Sequence, residues 1–191
     1  MNRWAVVAIP LMLCLVLTQA VIRHFIADRA FRNAKEALVR YERARWKEGK
    51  ADPSSIASFG PRLRKAVRLE PQCAEYRSYL GRYYQATATD PSISDGRWVE
   101  LARGAIKQHE KAVELDPLNG VYRAYLADIQ GAMARYFEGL LASPSLSEEE
   151  RMRASEQSLE YHEKAIGNFE EAILLNRTNK FIQQLYNAYR E

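Results

Sequence analysis

Three histidines, eleven tyrosines and a scatter of arginines are the side chains of this 191-residue chain best suited to chemistry. His109-Glu110-Lys111-Ala112 and His162-Glu163-Lys164-Ala165 look alike, and a histidine followed by glutamate on a helix invites a zinc-protease reading. That chemistry needs a second histidine four residues on, so that two imidazoles share one face and one metal. Neither run has it, and both histidines are expected in packing or edge positions. His24 borders an apolar run, where an interfacial ring is the ordinary role. The chain carries no Gly-rich phosphate loop, no Gly-x-Ser-x-Gly and no paired carboxylates in a loop context. Cys14 and Cys73 lie in an apolar segment and an interhelical turn, a placement that does not suit pairing, and they form no metal spacing. No catalysis, cofactor, metal or small-molecule substrate is therefore expected.

Whatever these side chains do, helices must position them. Gly and Pro number only nine and seven, and β-branched runs are scarce beyond the N-terminal segment, so the composition predicts an all-α fold. Three stretches of twenty residues align without gaps: 65–84, 111–130 and 171–190. Their shared columns are structural. Ala66, Ala112 and Ala172 stand where one helix must approach another closely, and Leu69, Leu115 and Leu175 close the last turn of that helix. Pro71 and Pro117 follow an acidic residue and stop the helix, because the residue before proline is pushed out of the α region; Arg177 stands at the third such position. Tyr76-Arg77 matches Tyr122-Arg123, and Tyr79-Leu80-Gly81 matches Tyr125-Leu126-Ala127, with Gly81 and Ala127 as small contact points.

Hydrophobic periodicity supplies the remaining elements. Leu118, Tyr122, Tyr125, Ile129, Met133, Tyr136 and Leu140 form one stripe, ended by Ser143-Pro144. Ser147 with Glu150 reads as a capping box opening a helix that carries Met152, Leu159, Ile166, Phe169 and Ile173 on one face. Trp98, Leu101, Ala105, His109 and Ala112 make a similar stripe. Phe31, Ala34, Leu38 and Tyr41 continue the N-terminal helix until Gly49 and Pro53 end it, and that helix pairs with residues 54–69 as an atypical first hairpin.

The repeated Ala-x-x-x-x-Pro run and the Leu-Gly pair that follows it resemble the tetratricopeptide repeat family, over roughly residues 54 to 190. The spacing departs from the 34 residues that the family uses: the shared alanines lie 46 and 60 residues apart. The resemblance therefore implies a short array of elongated hairpins, with the additional residues at 87–96 and around 142–147. In that family the first helices of the hairpins form a concave binding surface. Carried over column by column, this implies a partner-binding face of Glu75, Ser78, Arg82 and Gln85, then Val121, Ala124 and Asp128, then Phe181 and Gln184, with Arg82 as the anchoring cation. The tyrosines concentrate on the same helices, where they fill hairpin cores and bring their hydroxyls to the rim.

At the N-terminus, nineteen residues from Trp4 to Ile22 carry no charge. A helix of that length spans roughly 28 Å, enough to cross a bilayer once. The expected division is a transmembrane anchor at 1–27 and a repeat domain at 28–191. A retained anchor is favoured over a cleaved signal peptide, although Thr18-Gln19-Ala20 resembles a processing site. The short basic start followed by an apolar run suggests that the repeat domain is exported, while Arg23, Arg29, Arg32 and Lys35 argue for the cytoplasmic side. Residues 28–50 hold eight Lys/Arg against four acids, and 143–176 three against eight. The basic end thus lies beside the apolar segment, where it suits anionic headgroups. No nucleic-acid motif accompanies these cations, and nucleic-acid binding is not expected. The function expected is a single-pass membrane-anchored scaffold that docks a protein partner in a membrane or envelope complex. The alternatives are a structural subunit held through its transmembrane helix, and an exported ligand-binding protein released by signal cleavage.

Overall fold

The computed structural model describes residues 3–48 and 54–190, and every regular element among them is an α-helix. Gly49 and Pro53, expected to end the first helix, lie outside the described residues. The chain divides into two compact units, Met1–Gln72 and Cys73–Glu191.

In the first unit α1 (Arg3–Glu48) is unbroken, α2 (Ser54–Ala57) is one turn, and α3 (Gly60–Leu69) packs back along α1. Leu11, Met12, Leu13, Leu15, Val16, Leu17, Val21 and Ile22 are each more than half exposed. Large apolar side chains exposed on every side of a helix need a non-aqueous cover. α1 is long and apolar enough to cross a bilayer. Within this stretch the Thr18 hydroxyl donates to the Cys14 carbonyl at 2.8 Å, so its polar atom is satisfied inside the helix. From Ala27 onward the character changes: Ala27, Phe31, Ala34, Leu38 and Tyr41 are buried at alternating steps of four and three. Their counterparts Ile56, Gly60, Leu63 and Val67 follow the same rhythm, the pattern of two helices meeting along a seam. The Arg23 guanidinium Nε donates to the Leu69 carbonyl and closes the end of α3. Residues 28–48 belong to the same rod as the apolar segment, and α3 joins them in one unit.

The second unit holds α4 (Ala74–Ala88), α5 (Asp95–Leu115), α6 (Gly120–Leu141), α7 (Glu148–Leu175) and α8 (Lys180–Arg190). Each helix packs on the next in sequence, and α6 also meets α4 and α8. Ser94 and Asn119 cap α5 and α6 by accepting the amides of Arg97 and Val121. The capping box at Ser147 is present in full: the Glu150 amide donates to Ser147 Oγ at 3.3 Å, and the Ser147 amide to the Glu150 carboxylate at 2.9 Å. The Ser147 amide, together with the Ser147 hydroxyl that donates to the same carboxylate oxygen at 2.8 Å, holds the Glu150 carboxyl below the usual range.

The three aligned stretches share one local conformation. α3, α5 and α7 end at Leu69, Leu115 and Leu175, and the amides of Glu70, Asp116 and Asn176 donate to the carbonyls of Ala66, Ala112 and Ala172 at 2.9, 3.0 and 3.1 Å. All three alanines have zero exposure. α7 stops on schedule although Arg177 replaces the proline, so the cap residue and the closing leucine suffice. The chain passes close to α7 at Ala172: a Cβ on Gly120 would stand 2.7 Å from the Ala172 carbonyl oxygen.

Two stripes differ from expectation. Leu118 is 76% exposed, because it precedes the Asn119 cap and is outside α6. Met152 and Leu159 are each 61% exposed, whereas α7 buries Ala154, Ser158, Ala165, Phe169 and Ala172. The close contact between α6 and α7 selects small residues, which hydropathy does not register, and the larger apolar side chains face away.

Candidate partner-binding face

α4, α6 and α8 are the helices that open the aligned hairpins of the second unit, and α6 touches both others. The geometry there is built around Tyr125. The Arg82 guanidinium lies over the Tyr79 ring at 4.4 Å and the Tyr125 ring at 5.0 Å, a cation held between two aromatic faces. Tyr125 also stacks on His109 at 5.6 Å with 19° between the planes, and meets Phe181 of α8 at 5.3 Å in a tilted contact. One arginine and four rings therefore link α4, α5, α6 and α8.

A polar relay runs through the same place. His109 Nε2 lies 2.9 Å from Gln85 Oε1, and Gln85 Nε2 donates to Asp128 Oδ2 at 3.2 Å. The carboxamide oxygen can only accept, so His109 carries its proton on Nε2. Its Nδ1 is then an acceptor, buried and without a partner among the described residues. Burial, with Arg82 adding like charge, pushes the His109 imidazole down to about 3, and the ring is neutral near pH 7. His109 fits against α4 because position 81 is glycine: a Cβ there would stand 2.6 Å from His109 Nε2.

The residues implied by the resemblance do not all come together. Arg82, Gln85, Asp128 and Phe181 converge on Tyr125 and His109. Glu75, half-buried, lies near enough to Tyr122 to help raise its phenol to about 12, after burial as the larger cause and ahead of Asp116. Val121 packs beside Phe181 against the cluster of Ala124, Ala172 and Ile182. Ser78 and Ala124 are corrections to the expected exposure, at 1% and 0%. They occupy equivalent columns, and Ser78 sits one turn before Gly81 on the stripe that meets α5. Gln184 in the same column is exposed. Tyr79, Tyr125 and His109 were the participants that column matching left out. Their signal is visible in the alignment, because Tyr79 with Arg82 matches Tyr125 with Asp128, placing a tyrosine and a charge three residues apart on consecutive hairpins.

α8 is seated by a second aromatic set. Phe169 touches Tyr186 and Tyr189 at 5.5 and 5.4 Å, and a Cβ on Gly131 would stand 2.5 Å from Tyr189 Cε2. The Tyr189 hydroxyl lies 2.6 Å from His162 Nδ1 on the exposed side. Among the described residues no three His, Cys, Asp or Glu side chains come together as metal ligands. What the face offers is a firmly held cation, a carboxylate and the half-open edges of aromatic rings. No known family model matches the chain, and no curated protein matches its sequence.

Proposed function

We propose that this chain is a single-pass membrane protein whose tetratricopeptide-like helical array holds a protein partner against the α4–α6–α8 face, in a membrane or envelope assembly. The observation that carries the reading is the joining of α4, α6 and α8 through Arg82, Tyr125 and Phe181, with Gln85 and Asp128 at the polar edge. The role is docking rather than catalysis: the one buried histidine is neutral and its proton is engaged by a carboxamide. A partner helix or extended segment would bury the ring edges and meet Arg82 and Asp128 as register-setting charges.

Site-specific photo-crosslinking in cells tests it. A crosslinker replacing Gln184, exposed on α8, should give one discrete adduct that disappears in the Arg82→Ala/Tyr125→Ala variant. A crosslinker replacing Met152, on the outer side of α7, should not give that adduct. The same adducts from both positions would remove the reason for choosing this face.

The export-like start favours the exported side for the helical array. The cations following the span, Arg23, Arg29, Arg32 and Lys35, favour the cytoplasmic side as a second reading. Protease added to intact spheroplasts separates the two, since only the exported arrangement leaves residues 73–190 open to cleavage.

A further inference from the structure

α3 carries Arg62, Arg64, Lys65 and Arg68 within ten residues and no acidic side chain. Its buried face is Gly60, Leu63, Ala66 and Val67, so all four cations are on the exposed side. None of the four makes an ion pair with a described residue. In sequence they lie far from the apolar segment, and folding brings them back. The Arg23 Nε bond to the Leu69 carbonyl joins the last residue of α3 to the first charge after the apolar run. α3 therefore runs antiparallel to α1, with its C-terminal end level with the edge of the span. Counting back along a helix at about 1.5 Å per residue, Arg68, Lys65 and Arg64 stand about 1.5, 6 and 7.5 Å from that level. On α1, Arg29 is exposed and stands about 9 Å from it by the same rise. These heights fall within or close to the screening length of about 8–10 Å at physiological salt. The acids of this layer offset little, because Asp28 is held by Arg32 at 2.7 Å and Glu70 is the single acid at the end of α3.

Resting on the reading of α1 as a membrane span, the geometry points to a basic collar of Arg23 and Arg29 from α1 with Arg64, Lys65 and Arg68 from α3 that binds the headgroups of anionic phospholipids. The cations are spread over two helices at one depth instead of converging on a pocket, which fits a layer of phosphodiesters better than a single dissolved phosphate. Guanidinium groups bond phosphate oxygens in pairs, and each cation at an anionic surface contributes about a fivefold preference. Arg23 also covers the last carbonyl of α3, so the negative end of that helix does not face the headgroups bare.

The test uses the full chain reconstituted in mixed vesicles of phosphatidylcholine and phosphatidylglycerol. Spin-labelled versions of each lipid report the composition of the shell around the protein. Phosphatidylglycerol should be enriched several-fold, and the enrichment should fall at least about fivefold in Arg64→Gln/Lys65→Gln/Arg68→Gln. Arg62→Gln, about 10 Å above the layer by helical rise, should change it least, and Arg64→Lys/Arg68→Lys should retain it. All four substituted side chains being exposed on a formed helix, the variants should keep the parent's circular dichroism. Equal enrichment in parent and triple variant, both resistant to alkaline extraction, overturns the collar and leaves the span intact. Release of the parent chain by alkali overturns both. Replacing chloride by inorganic phosphate at constant ionic strength should leave the enrichment unchanged; its abolition would reassign the cations to a free phosphate and overturn the lipid assignment.

Discussion

The joint between α5 and α6 and the joint between α6 and α7 share one helix and are built in opposite ways. Ile106 on α5 shares one apolar cluster with Leu126, Ile129 and Met133 on α6, so large apolar side chains interlock and Ala102 and Ala105 fill between them. α7 instead turns Ala154, Ser158, Ala165 and Ala172 inward, and its polar atoms bond across the gap. Ser158 Oγ donates to the Ala134 carbonyl at 3.2 Å, and Asn168 Nδ2 to Gln130 Oε1 at 2.9 Å. A hydroxyl reaches the backbone of a neighbouring helix only when the two lie close together. The first joint is held by side-chain volume, the second by proximity, and the two should respond differently to the same kind of change.

The largest effect is expected where α7 carries its one large fully buried side chain. Phe169 has zero exposure and anchors Tyr186 and Tyr189 of α8, so Phe169→Ala should cost about 3–5 kcal/mol, read as the loss of thermal stability of the full chain in mild detergent. Enlarging the small residues should come next. Ala165→Leu, at zero exposure, should cost about 3 kcal/mol, whereas Ile106→Leu at the interlocking joint, with volume conserved, should stay below about 1.5 kcal/mol. Equal costs at the two positions would mean that proximity is not what defines the α6–α7 joint.

A third effect concerns His109, where α5 meets α4. In an unfolded chain its imidazole titrates near the ordinary 6.5, and in the fold it is held at about 3. Between those values the unfolded state binds the additional proton, so stability is fully present above about pH 6.5 and declines as pH falls toward 3. From pH 7 to pH 5 the contribution should be about 2 kcal/mol, using about 1.4 kcal/mol per pH unit. Melting the parent chain and His109→Gln at both values isolates it, because the variant should lose less stability on acidification. An equal loss in the two chains would show that His109 is not the group responsible.

The histidine also makes a paired test possible. A Cβ on Gly81 meets the imidazole below van der Waals distance, and stacking on Tyr125 with the Gln85 bond leaves the ring no room to retreat. Gly81→Ala should therefore be damaging in the parent and much milder beside His109→Ala, with a coupling of about 1 kcal/mol in the double-mutant cycle. Additive effects would mean that the glycine is needed for some other neighbour.

The contrast between joints also explains what could be read from the sequence. The α5 stripe of Trp98, Leu101, Ala105, His109 and Ala112 was legible because Trp98 and Leu101 mark its face at the start. The helix ends were legible because Leu69, Leu115 and Leu175 precede cap residues of the same kind, and the capping box at Ser147 names its own partner. The inner side of α7 was not, since alanine and serine carry no hydropathy signal. At the candidate face, Arg82, Gln85, Asp128 and Phe181 were reachable by matching columns. The burial of Ser78 was not, because it depends on how closely α4 meets α5 at Gly81, a distance that no spacing encodes. The cations beside the apolar segment were half legible: Arg23 and Arg29 follow it in sequence, whereas Arg64, Lys65 and Arg68 reach its end only through the fold-back of α3.

The smallest expected effect is the most pointed check on the reading of α7. Hydropathy alone puts Leu159 in the core, and a buried leucine replaced by glutamine would lose its apolar burial and bury an amide, a cost of several kcal/mol. At 61% exposure Leu159 has little burial to lose. Its side chain points away from α6 while Ser158, one residue earlier, bonds to the α6 backbone, so the two cannot share a face. Leu159→Gln should therefore change the unfolding free energy by no more than about 0.5 kcal/mol, within the range of ordinary surface substitutions. Met152→Gln, on the same outer side, should behave alike. A large loss at either position would mean that α7 is rotated by roughly a quarter turn or more, and the small-residue joint with α6 could not then exist.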